Sequence, residues 1–207
     1  MTIQSAAPST KNQILAVSLQ KFAEDGYAST SLADIADAVG IAKSSLLHHF
    51  ASKDVLYRAV VLESFVDWVD LVEEATAGPK QGWGQAERVI RAAFRFFEEH
   101  PEFVRLVRRE ALDGGPMLRD ELTVLLKPLF ERGASYLERE MDEGRLRRYD
   151  ARQLLLTGYG AILSYLSDAP LIGGLLGEDP QSEPALAARR EHVIAILKTA
   201  VAIDSIS

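Results

Sequence analysis

Thr30-Ser31-Leu32-Ala33-Asp34-Ile35-Ala36-Asp37-Ala38-Val39-Gly40-Ile41-Ala42-Lys43-Ser44-Ser45-Leu46-Leu47-His48-His49-Phe50-Ala51-Ser52-Lys53-Asp54 is the stretch whose reading decides the fold. Ser31 with Asp34 has the spacing of a capping box, so a short helix starts there and carries Leu32, Ile35, Ala36 and Val39. Gly40 breaks it, and a second helix, Lys43 to His49, follows within a few residues. Two short helices joined by a tight glycine turn form a helix-turn-helix. Ile35, Ala36 and Val39 with Ile41, Leu46 and Phe50 supply a small core, and Ala36 is small enough to let the helices cross closely. That packing leaves Lys43, Ser44, Ser45 and His48 facing outward. They are short or basic donors, suited to base edges and phosphates in a major groove.

Working outward, residues 11–24 place Ile14, Leu15, Leu19, Phe22 and Ala23 on one helical face, with Gly26 as the C-terminal stop. On the other side, Ser52-Lys53-Asp54 opens a long helix to about Ala75. Gly78 to Gly82 reads as a loop. Helices are then expected at about 85–99, 102–112, 117–142 with a kink at Pro128, 150–167 behind an Asp150 cap, and 183–203. Residues 169–182, rich in Gly and Pro, read as a mobile loop. The expectation is an all-α chain of about nine helices: a flexible tail over 1–10, a helix-turn-helix domain over 11–58, and a helical body over 59–207.

With 207 residues, 47% hydrophobic and 26% charged, the chain can bury a sizeable core. The net charge of −7 argues against a protein that coats nucleic acid without specificity. Residues 1–58 carry five basic and five acidic side chains, so all of that charge lies in the body. A neutral head on an acidic body meets DNA in one orientation. There is no cysteine, no signal-like start, and no apolar run of membrane-spanning length; a cytoplasmic protein is expected.

Across residues 11–58 the sequence resembles the TetR family of bacterial regulators. The residues that carry the resemblance are Phe22-Ala23-Glu24-Asp25-Gly26-Tyr27, Thr30-Ser31, Asp34-Ile35-Ala36, Gly40-Ile41 and Phe50-Ala51-Ser52-Lys53. Three positions depart from the pattern: Ala42 where a capping serine is usual, and Leu47 and His49 where tyrosines are common. The resemblance implies base readout by Lys43, Ser44, Ser45 and His48, and phosphate contacts by Thr30, His49 and Lys53. The plainer reading makes the serines caps and the lysines solvated charges.

It further implies a body that binds a small-molecule effector and forms a homodimer. Phe65, Trp68, Phe94, Phe97, Phe103, Leu106 and Tyr159 are candidates to line the pocket, with plain core as the competing reading. Arg91 and Arg95 suit an acidic ligand or a solvated face. Leu155, Ile162 and Leu166, with Val193, Ile196, Leu197 and Ala200, are candidates for the dimer interface; alternatively they complete the monomer's core. The implied function is repression through a near-palindromic operator of double-stranded DNA, relieved when an effector moves the fourth helix.

An enzyme is the rival reading. No phosphate-binding glycine loop and no metal-ligand spacing among His48, His49, His100 and His192 supports it, and no cofactor is expected. A helical protein-interaction module is a second rival. It calls for exposed apolar anchors on the helix over 43–49, where the outer face is basic and polar.

Overall fold

Serines, an aspartate and glycines set the helix ends in a computed structural model, which describes residues 9–76, 81–113 and 123–203. Ser9 accepts from the Asn12 amide to open α1 (Thr10–Ser29), which breaks internally at Gly26, where φ is +81°. Ser31 and Asp34 form the reciprocal capping box of α2 (Leu32–Val39). Gly40, left-handed at φ 78° and ψ 33°, stops α2 and turns the chain into α3 (Lys43–His49). Ser52 accepts from the Val55 amide at the start of α4 (Lys53–Thr76).

The body follows with α5 (Gly82–Glu99), α6 (Pro101–Asp113), α7 (Thr123–Asp142), α8 (Ala151–Ser167), α9 (Ala169–Leu176) and α10 (Glu183–Val201). Asp150 caps α8 by accepting from the Gln153 amide, as expected. The described residues thus hold ten helices, not nine. The extra one is α9, in a stretch expected to be loop: Pro170 sits in its first turn, where a proline costs no hydrogen bond, and its glycines do not break it before Gly177 turns left-handed. A single helix passes through Pro128. The expected start of α7 at Met117, and most of the loop before α5, lie outside the described residues.

Head and body share one apolar cluster. It runs from Ile14, Phe22, Ile35 and Leu46 through Leu56, Val60 and Phe65 to Phe94, Phe103, Leu106, Ile162 and Val193. The expected boundary at 58/59 therefore falls inside α4, which packs on both α1 and α5, while α6 packs on both α1 and α8. At the far end the buried Glu140 carboxylate ties α7 to α5. It accepts from Arg145 Nε at 2.5 Å and from the Gly82 amide at 2.8 Å. Bonding to Arg145, against the opposing effect of burial, lowers its pKa. Two ion pairs staple α5 to α10, Arg91–Glu191 at 2.6 Å and Arg190–Glu98 at 2.9 Å. Arg91 is thereby committed inside the fold, leaving Arg95 exposed beside it.

Several candidate residues sit elsewhere than expected. Ile162 and Val193 are 5% and 4% exposed within the chain's own core, so neither is free to meet a second copy. Leu155 packs against Gly133 of α7, where an added Cβ would stand 3.3 Å from its Cδ1. Leu166 and Leu197 pack on the main cluster, and Ala200 on a second cluster formed by Met141, Leu146 and Val201. Ile196 alone of that set points outward, at 55% exposure. The reason is angular: α8 carries two apolar stripes, and the one through Leu156 and Tyr159 is the exposed one.

The pocket candidates fall into different settings. Phe65, Trp68, Phe97 and Phe103, with Phe96, pack on one another at centroid distances from 4.8 to 6.3 Å, so most of their ring surface fills the core, while Phe97 and Phe103 also reach the edges of clefts. Phe94 and Leu106 are fully buried core, and Tyr159 lies on the surface.

Candidate nucleic-acid interface

Packing of a single leucine orients the recognition surface. Leu46, with no exposed area, fixes α3 against α2, helped by Ile35, Ala36 and Phe50. The turn is tight because the Ile41 amide donates to the Ala36 carbonyl at 3.0 Å and the Gly40 amide to Asp37 at 3.1 Å. With Leu46 inward, the 100° step of a helix sends Lys43, Ser44, Ser45, Leu47, His48 and His49 outward, and all six are exposed. The His48 and His49 rings meet edge to face with centroids 6.0 Å apart. Leu47, at 39% exposure, joins this surface; in the sequence it stands out only as a departure from the family pattern. An apolar side chain there suits the methyl group of a thymine.

Ala42 is the N-cap of α3 and makes no side-chain bond, and neither Ser44 nor Ser45 replaces it. The serine hydroxyls are therefore not engaged as caps.

Two of the expected phosphate contacts change role. Thr30 is 2% exposed, and its hydroxyl donates to the Gly26 carbonyl at 2.8 Å, so it closes the end of α1 and faces inward. Lys53 donates to the carbonyls of Tyr27 at 2.7 Å, Thr30 at 3.0 Å and Ala28 at 3.4 Å, and lies 4.3 Å from the centre of the Tyr27 ring. Its ammonium holds the α1–α2 connection together. The sequence showed a lysine at a helix start; it could not show that three carbonyls converge on it. Of the three, His49 alone keeps a free outward side chain.

Behind this head stands a second cation. Arg109 of α6 donates to the Ala23 carbonyl at 3.0 Å and the Glu24 carbonyl at 2.6 Å, gripping the end of α1 from the body. Beside it the Tyr57 hydroxyl of α4 donates to the buried Glu110 carboxylate of α6. Tyr57 also packs on Phe22 and Tyr27 at 4.8 Å. Tyr27 in turn donates to Asp54, and burial together with that carboxylate pushes its phenol up to about 12. These contacts join residues far apart in sequence, so no local pattern announces them.

A small helix-turn-helix head gripped by a larger helical body defines a transcription regulator of the helix-turn-helix class. Residues 14–60 match the family described as bacterial regulatory proteins, tetR family, and residues 85–197 match the tetracyclin repressor-like C-terminal domain. The chain belongs to the TetR family of transcription regulators. It is 28% identical over 178 residues to the HTH-type transcriptional regulator RutR of Escherichia coli K12, covering 86% of this chain and 84% of that one. It is 34% identical over 108 residues to the HTH-type transcriptional repressor KstR2 of Mycobacterium tuberculosis H37Rv, about half of each chain. The ketosteroid regulator structure of KstR2 from that organism shares the fold, with a TM-score of 0.77 at 18% identity over 98% of this chain and all of that one.

Proposed function

We propose that this protein is a cytoplasmic repressor that binds a near-palindromic operator as a homodimer and is released by a small molecule. The observation that carries the reading is the outward set on α3, Lys43, Ser44, Ser45 and His48, exposed around the buried Leu46. Lysine reads the acceptor edge of guanine, and serine accepts or donates to either pair. His49 reaches a phosphate at the rim of the groove. One seven-residue helix reads few base pairs, so a two-fold pair with half-sites roughly 34–36 Å apart, or a multiple of that, is required for a unique site. The relatives named regulator and repressor support the same assignment.

The dimer face lies on the outward stripes of α8 and α10. Leu156, Tyr159 and Ile196 are 50%, 45% and 55% exposed there, the kind of apolar surface a four-helix contact covers. Release follows if the effector favours an arrangement in which the two heads no longer match the operator spacing. Both α4 and α6 are placed to carry that change, since each touches the head and the body.

The test is selection of bound fragments from genomic DNA by the purified chain, followed by sedimentation of protein with the selected duplex. Recovery of inverted repeats bound by two chains, or by a larger even number, is expected. Binding of one chain per site, or recovery of no common sequence, removes the proposal.

A further inference from the structure

The body holds a cleft of about 230 Å³ between the α5–α6 corner, α8 and the start of α10. Phe97, Val104, Leu166 and Leu186 give it an apolar wall. Two charged side chains border it, and they are not equivalent. Glu98 is committed to Arg190, whose Nη1 donates to both of its oxygens at 2.9 and 3.2 Å. Arg105 is exposed at the rim, and among the described residues no carboxylate lies within ion-pair reach of it. A guanidinium beside an apolar wall selects a planar anion, because its fork of donors matches a carboxylate while the wall takes the rest of the ligand. Pro101 at the same cleft opens α6, so the positive end of that helix dipole favours the same sign of charge. The volume falls below the roughly 300–1,000 Å³ of sites for drug-sized ligands, which limits the occupant to a small molecule. A second cleft, about 210 Å³ between α1, α4 and the α5–α6 corner, is bordered by Glu63 and Asp67 and has no such selectivity for an anion.

We propose that the cleft beside α6 binds a small organic carboxylate, with its anionic end on Arg105 and its apolar part against Phe97, Leu166 and Leu186. The proposal rests on the regulator reading above, for which it names the chemical class of the effector. Arg109 lies one turn beyond Arg105 on the same helix and grips the end of α1, so the ligand's seat and the hold on the head share one rigid element. The pocket residues expected from the sequence are mostly the clustered aromatics. Only Phe97 of that set borders this cleft, and Arg105 has no signature in the sequence because it is one of three arginines on α6.

Titration calorimetry on the full chain tests it, with phenylacetate and hexanoate as probes and phenylacetamide and hexanamide as their uncharged counterparts. Saturable binding of the acids is expected, about tenfold or more tighter than the amides. Arg105→Gln, an exposed change that leaves the melting temperature in place, should bring the acids down to the level of the amides. Leu186→Trp, which fills the cleft, should abolish binding of all four. Equal binding of acid and amide by the unaltered chain, no binding of either acid, or unchanged acid binding by Arg105→Gln each overturns the proposal. Operator affinity is measured on the same preparations. Acid binding without operator binding keeps the cleft and removes the regulator reading; operator binding without acid binding does the reverse.

Discussion

Lys43 and Lys53 look alike in the sequence and differ in what surrounds them. Lys43 stands on the outer side of α3 with its charge in solvent, whereas the Lys53 ammonium is spent on backbone carbonyls beneath the head. Lys43→Ala is expected to lower the preference for operator over random duplex by about tenfold, the value of one good base contact, with no change in melting temperature. Equal loss on both duplexes in a competition assay would assign it to phosphate instead. Lys53→Ala is expected to act through stability, costing about 1–2 kcal/mol and lowering the melting temperature by roughly 2–8 °C. An unchanged melting curve, together with a salt slope shallower by about one unit, would restore the phosphate role. The outward set on α3 was legible because Leu46 and the helical period fix which side is buried. The convergence of carbonyls on Lys53 was not, since it depends on where α1 ends relative to α4.

Among the elements, α3 is short and starts without a cap. Ala42 already has N-cap backbone geometry, with φ −66° and ψ 142°, so Ala42→Ser adds the missing acceptor without strain. It should raise stability by about 0.5–1 kcal/mol, read as a higher denaturant midpoint. A lower or unchanged midpoint would mean that the end of α3 is satisfied some other way. The tie between α7 and α5 gives a pH-dependent expectation. Bonding to Arg145 holds the Glu140 pKa below its ordinary value of 4.5. Its contribution is then fully present above that pH and lost as pH falls through the lowered folded value. Glu140→Gln should therefore cost about 2 kcal/mol at neutral pH, a figure kept modest because Arg145 is 30% exposed. The gap between the two proteins' melting temperatures should narrow below about pH 4.5. A gap that stays constant with pH would locate the effect elsewhere. Helix ends such as Ser31, Gly40 and Asp150 were readable because capping is local. The helix α9 was missed because proline and glycine signal loops only on average, and Pro170 falls where a helix tolerates it.

At the scale of the whole molecule, the all-helical plan followed from the helical period, and the division of labour between head and body from the family resemblance across residues 11–58. The choice of faces did not. An apolar stripe on α8 or α10 can meet its own core or a second copy, and only the packed chain distinguishes Ile162, which is buried, from Ile196, which is not. The same holds for the body's aromatics, which close on each other and leave the cleft beside α6 to Phe97 and to residues with no distinctive pattern. What unites the levels is a single cluster that binds the head rigidly to helices α4 and α6, so that a change in the body reaches α3. The central claim is that this head reads sequence in duplex DNA. The most direct measurement is the ratio of affinities for the selected operator and for random duplex of equal length, at one moderate salt concentration. The account predicts a ratio of about 10³ or more. A ratio near one would contradict it.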